Sequence, residues 1–300
     1  AATLPRLRPG NALAGAGLGL CLLFFPALER GLAAARDEAR LTLLDTGQSQ
    51  AVLVEAPGGV RVLVDGGGSV SRTFDLGRAV TGPALTANRP PRLDLAVLSH
   101  PDADHAQGLV HVLSRFRVDR FAWGGSQPEG RLGEEFREAL ARGGLEPETW
   151  RAGEVHALGG GLEVQVLHPG TGGRLKNPND TSLALRLAWR GRGLAVLCGD
   201  LERPGLAALL ARKPDLGAEV LVLPHHGSDS SLVQELYDRV VPGQALAAAG
   251  LNNSYGFPGA GVRAELARRG VPLWTTGESG ALVAVFPPGG PVRIEPTDHE

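Results

Sequence analysis

Apolar runs that each end in a polar cluster recur along this chain. Runs of this kind, with few polar residues inside them, are typical of strands buried on both faces of a sheet. Three of them lead into clusters of possible ligands, at 100–105 (HPDADH), at 199–200 (GD) and at 224–226 (PHH). Because the ends of aligned strands meet at one edge of an α/β sheet, we expect these clusters to converge.

The first part of the pattern predicts a β-meander. Apolar segments at 41–44, 51–56 and 60–64 are separated by turn residues, and the last ends in Asp65 and three glycines. Such a turn can place a carboxylate beside a site. Residues 69–92, rich in Gly, Pro and polar side chains, are predicted to be an irregular connection. Strands and helices continue to about 288, so we expect one domain at 39–290 and a C-terminal tail at 291–300.

A separate hydrophobic segment precedes this domain. Residues 11–28 are uncharged and mainly apolar, with Arg6 and Arg8 before them and Glu29 and Arg30 after them. This length just allows one membrane-spanning helix. Residues 1–38 are therefore predicted to be a membrane segment and linker. A signal peptide cleaved near 33–35 and a buried soluble helix are the alternatives.

Charge and cysteine content exclude only a few classes of function. The 300 residues carry a formal net charge of −2, so there is no overall basic footprint for nucleic acid, and any polyanion contact must be local. Arginines are scattered through the first half, and none is assigned to such a contact. Cys21 and Cys198 lie in the hydrophobic segment and at a strand end, which suggests neither a disulfide framework nor a thiolate zinc site.

The ligand-type residues indicate metal chemistry. Two histidines and two aspartates fall within the six residues 100–105, and burying such groups unpaired costs several kcal/mol, on the order of 2–7 for a neutral polar group. A solvated acidic turn is the alternative reading of this motif alone. Asp and His on several loops can hold two divalent cations, which activate water for phosphoester cleavage. The absence of a G-x-S-x-G motif leaves serine hydrolysis unsupported.

Together these motifs resemble the metallo-β-lactamase superfamily, and more narrowly the C-terminal domain of the ComEC family of bacterial competence proteins, which take up DNA. The narrower resemblance covers about residues 40–288. It is carried by LDTGQ at 44–48, VDGG at 64–67, Asn179 and Ser182 as an N-x-x-S motif, and NSYGFP at 253–258. The resemblance implies a four-layer αββα sandwich, preceded here by one hydrophobic, transmembrane helix.

The resemblance also implies a set of roles. One metal would be held by His100 and Asp102, the other by Asp104, His105 and His225, with Asp200 bridging them. Asp65, Asn179 and Ser182 would support the site, with Asn179 replacing a third histidine, and His226 would either lie behind the ligands or donate a proton. Asp104, Asp200 and His226 are thus the predicted catalytic residues. Because Asp102 adds an oxygen ligand, Mn²⁺ or Mg²⁺ is favoured and Zn²⁺ is possible.

The implied activity is a nuclease that degrades one strand of incoming DNA, with hydroxide held between two divalent metal ions attacking phosphorus. The implied partners are DNA, the membrane channel region of the same protein and other competence proteins. The implied location is the bacterial inner membrane with the domain outside the bilayer, or export after signal-peptide cleavage. A phosphodiesterase for a small ester and a non-catalytic DNA-binding scaffold are the competing functions. Gln50 and Phe257 depart from the family motifs and are expected near the substrate.

Overall fold

The computed structural model describes residues 37–69, 74–87, 89–171 and 177–297, which form two large sheets. The first has eight strands, in the order β17-β16-β1-β2-β3-β5-β7-β8. Their bounds are β1 Ala39–Leu43, β2 Val52–Ala56, β3 Val60–Val64, β5 Leu95–Leu98, β7 Phe121–Trp123, β8 Glu148–Thr149, β16 Leu282–Phe286 and β17 Arg293–Pro296. The meander β1–β3 is antiparallel, as predicted, and β3, β5, β7 and β8 are parallel.

The second sheet has seven strands, in the order β15-β14-β13-β12-β11-β10-β9. These strands are β9 Val155–Gly159, β10 Leu162–His168, β11 Ala184–Trp189, β12 Arg192–Leu197, β13 Val220–Val222, β14 Gln244–Ala247 and β15 Leu273–Thr275. The run from β12 to β15 is parallel. A small separate pair is formed by β4 Arg92–Leu93 and β6 Arg117–Val118.

Helices cover the outer faces of both sheets. Their bounds are α1 Gly82–Thr86, α2 Ala103–Arg115, α3 Gly130–Gly143, α4 Arg203–Ala211, α5 Gln234–Val240, α6 Ala260–Arg269 and α7 Thr276–Ser279. One apolar cluster lies between the sheets, where Val62 and Leu95 of the first share a core with Leu185 of the second. Two further clusters join each sheet to its own helices. The four-layer αββα sandwich expected from the resemblance is therefore confirmed.

Two segments differ from the sequence prediction. Residues 69–92 are not wholly irregular, because a π-helical turn, Gly77–Thr81, and α1 lie within them. The predicted tail begins too early, since β17 pairs with β16 from Val285↔Arg293 to Leu282↔Pro296. The domain thus extends past 290 by one edge strand.

A close contact between glycines positions helix α2, which carries Asp104 and His105. The Gly66 amide donates to the His105 carbonyl and the Gly108 amide to the Gly67 carbonyl, both at 2.8 Å. A Cβ on Gly108 would lie 1.9 Å from the Gly66 oxygen, so no side chain fits there. The glycine loop after Asp65 therefore lets α2 approach the end of β3.

The predicted membrane helix at 11–28 lies outside the described residues. Within the described part of the chain, none of the helices is both long and apolar enough to cross a membrane.

Candidate metal centre

The three predicted clusters meet at one edge of the sandwich. His100 follows β5, and Asp102, Asp104 and His105 lie at the start of α2. Asp200 follows β12 of the other sheet, and the pair 225–226 follows β13, the parallel neighbour of β12. Both sheets therefore contribute ligand-type side chains to one place.

These side chains form two overlapping groups. In the first, one ligand atom each of Asp104, His105, Asp200 and His226 lies within 4.8 Å of the others. In the second, His100, Asp102 and Asp104 meet the same limit. Asp104 belongs to both groups, and Asp200 Oδ2 also lies 3.8 Å from His100 Nε2. Either carboxylate is thus placed between two potential cation positions.

Buried atoms without hydrogen-bond partners show which kind of ligand this cluster fits. Asp200 Oδ1 is 3.2 Å from His105 Nε2, and His226 Nε2 is 3.5 Å from Asp104 Oδ2. Neither contact is an aligned hydrogen bond. Among the described residues no hydrogen-bond partner exists for four buried atoms: His100 Nε2, His105 Nε2, His226 Nε2 and Asp200 Oδ1. Unpaired buried polar atoms are costly unless a ligand satisfies them. Imidazole nitrogens and carboxylate oxygens are suitable donors for divalent metals, so the residues present fit such ions.

A buried carboxylate aims one of the histidines. Asp65 is fully buried and has a left-handed backbone conformation, with φ of 61°. Its Oδ2 lies 2.8 Å from His105 Nδ1, and it accepts hydrogen bonds from the Ser99 amide and hydroxyl, both at 2.7 Å. With Nδ1 hydrogen-bonded to Asp65, His105 presents the lone pair of Nε2 to the cluster.

Gln50, expected near the substrate, lies behind this carboxylate instead of on the cavity wall. The residue is 2 % exposed, and its Nε2 donates to Asp65 Oδ2 at 3.0 Å. It therefore belongs to the support of His105 and does not line the cavity described below.

The two adjacent histidines occupy places opposite to those that the resemblance implies. His226 is buried, its Nδ1 donates to the Ala248 carbonyl at 2.9 Å, and its Nε2 faces the cluster. His225 is half-buried and lies outside the four-residue group, with Nε2 3.6 Å from Asp200 and Nδ1 3.3 Å from Glu202. Both have left-handed backbones, with φ of 48° and 56°, which turn successive side chains apart. Of the two, His226 and not His225 thus belongs to the four-residue group that could hold an ion.

Asn179 and Ser182 lie between β10 and β11 of the second sheet, beside the loop after β12 that carries Asp200. Asn179 lines the cavity in front of the cluster. The Ser182 hydroxyl donates to the Asn179 carbonyl at 2.6 Å and accepts from the Asp200 amide at 3.1 Å, so it ties the two loops together.

Two further residues at these loops were missed as supports by sequence reasoning. His168 Nδ1 donates to the Ser182 carbonyl at 3.0 Å, and buried Asp180 accepts from the Glu202 and Gly205 amides at the start of α4. Neither has a spacing that would distinguish it in the sequence.

The electrostatics of the cluster favour a cation. Burial opposes ionisation of Asp200, but His105, His226 and His100 hold the pKa of its carboxyl well below the usual range. Burial likewise lowers the pKa of His105, but Asp200, Asp65 and Asp104 outweigh it and raise the pKa well above the ordinary value. Burial and the neighbouring His105 lower the pKa of His100. The carboxylates thus hold positive charge at this point, which a bound divalent ion supplies directly.

A cavity of about 630 Å³ opens in front of the cluster. One wall carries Asp102, Asp104, Asp200 and both histidines of the 225–226 pair. The aromatic side chains of Tyr255 and Phe257 line the cavity as well. A volume of this size accommodates a nucleotide-sized or drug-sized ligand.

The fold and the candidate metal centre together are those of a metallohydrolase. Residues 44–246 match the model of the metallo-β-lactamase superfamily, and the chain belongs to that superfamily. The crystal structure of the metallo-β-lactamase fold protein YhfI from Bacillus subtilis is similar in fold, with a TM-score of 0.54, 13% identity and coverage of 83% of this chain and 100% of YhfI. CmlA, a diiron β-hydroxylase from Streptomyces venezuelae, has a TM-score of 0.51 at 14% identity, over 87% of this chain and 54% of CmlA. Both likenesses show the fold.

Two of the relatives in sequence are competence proteins of the ComEC family. The chain is 30% identical over 260 residues to ComE operon protein 3 of Bacillus subtilis, covering 82% of this chain and 33% of that protein. It is 32% identical over 256 residues to competence protein ComA of Neisseria gonorrhoeae, covering 83% of this chain and 33% of ComA. The chain spans about a third of the length of these relatives. The resemblance to a domain of the ComEC family is therefore confirmed.

Proposed function

We propose that this domain is a divalent-metal-dependent nuclease that cleaves DNA phosphodiesters in a ComEC-type DNA-uptake protein. The observation that carries the proposal is the convergence of four buried, unpartnered ligand atoms, on His100, His105, Asp200 and His226. Asp200 and His226 line an open cavity. A DNA substrate is supported by the similarity to two competence proteins.

The side chains divide into two cation positions. His100 and Asp102 would hold one ion, and Asp104, His105 and His226 the other, with Asp200 between them. Divalent ions at such a pair of positions acidify water and neutralise the charge on a phosphodiester. Three imidazoles and three carboxylates make a mixed donor set, and its oxygen share favours Mn²⁺ or Mg²⁺, with Zn²⁺ as the alternative.

The protein's own groups orient these donors and handle the leaving proton. Asp65 holds the tautomer of His105, and the Ala248 carbonyl does the same for His226. His225 lines the cavity, contacts Glu202 and is not needed as a ligand. We assign to His225 the proton for the departing alkoxide, a role that the sequence analysis gave to His226.

The wider setting is part of the same proposal. By analogy with the competence proteins, the partners are DNA, a membrane channel region of the same polypeptide and other competence proteins, and the location is the inner membrane. The upstream apolar residues 11–28 support this placement. Export after signal-peptide cleavage is the alternative location.

The test is digestion of labelled single- and double-stranded DNA by the 300-residue chain in detergent, with Mn²⁺, Mg²⁺ or Zn²⁺. Asp200→Asn removes one carboxylate of the cluster, and Asp238→Asn, on the exposed surface of α5, is the matched control. We expect metal-dependent cleavage by the wild type and the control, with at least a 100-fold loss in Asp200→Asn. A folded, metal-loaded wild type that cleaves only a small phosphodiester, or binds DNA without cleaving it, would refute the proposal.

A further inference from the structure

Two aromatic rings stand in a stack at the cavity. The rings of Tyr255 and Phe257 are 5.5 Å apart and inclined by 19°. Tyr255 is 67% exposed, which is unusual for so large a ring. The rings of Phe257 and His225 are in an edge-to-face arrangement with their centroids 5.8 Å apart. The stack therefore begins beside the catalytic cluster and ends in an open aromatic face.

The loop that carries these rings is held in place by its own hydrogen bonds. The Asn253 side chain donates to the Gly250 and Phe257 carbonyls at 3.0 and 2.8 Å and accepts from the Phe257 amide at 2.9 Å. Arg263 Nε donates to the Pro258 carbonyl at 3.0 Å. Because the backbone is fixed on both sides of Tyr255, little ordering is needed when a ligand stacks on it.

A polar side chain without partners lies next to this loop. Both amide atoms of Gln48 are buried and have no hydrogen-bond partner among the described residues, although the residue lines the cavity. The loop packs on its backbone, since a Cβ on Gly250 would lie 3.6 Å from Gln48 N. A free carboxamide offers one acceptor and two donors, which is the pattern that recognises the edge of a nucleobase.

The charge of the cavity limits how it can hold DNA. Among its described lining residues none is lysine or arginine, whereas Asp102, Asp104 and Asp200 are acidic. The described lining residues therefore offer DNA stacking and base-edge contacts alongside the metal ions, and no ionic contact from a basic side chain. In a duplex the faces and pairing edges of bases are already occupied, and only an unpaired base offers both.

We propose that Tyr255 and Phe257 form a stacking platform for an unpaired nucleobase, whose edge pairs with the Gln48 carboxamide. This rests on the proposed function and names its substrate: single-stranded DNA, or a frayed end. A quaternary ammonium group, as in a choline ester, is recognised by several aromatic faces around it. Two parallel rings offer it one face only, and so the geometry favours a planar base.

The first test reads binding without catalysis. Fluorescence anisotropy measures the affinity of the 300-residue chain, in detergent and EDTA, for an oligothymidylate and for an abasic strand of equal length. We expect the wild type to prefer the strand with bases. Tyr255→Leu should weaken that strand's binding by about 5- to 100-fold, since removal of one stacking ring has effects of this order, and Gln48→Met should also reduce the preference. Tyr255→Trp should keep it.

Leu251→Ala is the matched control, because Leu251 is 69% exposed in the same loop and does not line the cavity. It should leave the preference unchanged. Equal affinity of the wild type for both strands, or equal loss in Tyr255→Leu and Leu251→Ala, would overturn the platform. Competition by phosphocholine but not by thymidine monophosphate would overturn it in favour of a small ester.

A second measurement separates this inference from the proposed function. With Mn²⁺, the rate of cleavage is compared for single-stranded, blunt duplex and abasic substrates. Faster cleavage of the single strand, with a Tyr255→Leu variant that raises KM more than it lowers kcat, supports both the nuclease and the platform. Absence of all cleavage with a retained preference for base-bearing strands refutes the nuclease alone, and cleavage of abasic and normal strands at equal rates refutes the platform alone.

Discussion

Replacing Asp65 by asparagine tests how the metal centre is built. Asp65 accepts hydrogen bonds from the Ser99 amide on Oδ1, and from the Ser99 hydroxyl and Gln50 on Oδ2, where it also contacts His105 Nδ1. An asparagine has the same shape but only one accepting atom. Every orientation of its amide therefore loses part of this set.

Either orientation has a definite consequence. With the amide oxygen toward His105, the NH₂ group opposes the Ser99 amide and leaves a buried donor unpaired, which costs about 1–3 kcal/mol of unfolding free energy. With the NH₂ group toward His105, the imidazole must move its hydrogen to Nε2, the atom that faces the cluster. Losses of roughly 10- to 100-fold in metal affinity are typical when such an orienting partner is removed.

Isothermal titration calorimetry with Mn²⁺ measures the affinity, and urea denaturation in EDTA measures the stability. Asp180→Asn is the matched control, because Asp180 is buried but takes both of its bonds, from Glu202 N and Gly205 N, on Oδ1 alone. An amide oxygen can keep both bonds, so metal affinity should stay at the wild-type value. If Asp65→Asn also bound Mn²⁺ as tightly as the wild type, the assigned role of Asp65 would be wrong.

Four further predictions follow from the same geometry. In urea, Gln50→Leu should lower the unfolding free energy by about 1 kcal/mol, and Gln50→Glu by more, because it places a second carboxylate against Asp65; equal losses would contradict this. Gly108→Ala should cost about 3 kcal/mol or more, since its Cβ would lie 1.9 Å from a backbone oxygen; an unchanged Tm would refute the contact. Two arginines lower the pKa of Glu265 from 4.5 to about 2, so its stabilisation is complete above pH 4.5 and is lost as the pH falls through 2. Glu265→Gln should therefore destabilise at pH 7 but not near pH 2. Mn²⁺ at about 100 times its Kd should add roughly 2.7 kcal/mol to the wild type, reversibly with EDTA, and His226→Ala should lose most of this gain while His225→Ala keeps it.

The layers of the fold follow from the sequence because buried strands have a distinct pattern. Strand β5 is buried at every position, which is why it reads as an apolar run with a polar cluster at its end. The turns between its strands made the meander equally predictable. The pairing of β17 could not be predicted, because Arg293 and Glu295 are exposed and its last residue is proline. Only the hydrogen bonds offered by β16 make that segment a strand.

Helical structure within 69–92 depends on tertiary contacts in the same way. Gly77 packs directly on helix α2, where a Cβ would lie 2.6 Å from the Gly108 carbonyl oxygen, and Gly82 lies against the His111 ring. Small residues of low helix propensity are needed for this close approach. The glycines that permit the close packing are thus also the residues that made the sequence predict an irregular segment.

The order of the two adjacent histidines shows where sequence reasoning about the site ends. Chain position brings both to the end of β13, but the side chain that enters the cluster depends on the backbone angles at each residue. His225 and His226 have left-handed φ values, which residues other than glycine rarely adopt. These angles direct the second imidazole inward and the first toward Glu202. The Ala248 carbonyl at the end of β14 then fixes the inner ring. Backbone angles and a carbonyl 22 positions further along the chain thus place His226 and not His225 in the cluster, and a spacing rule within the motif could not contain that information.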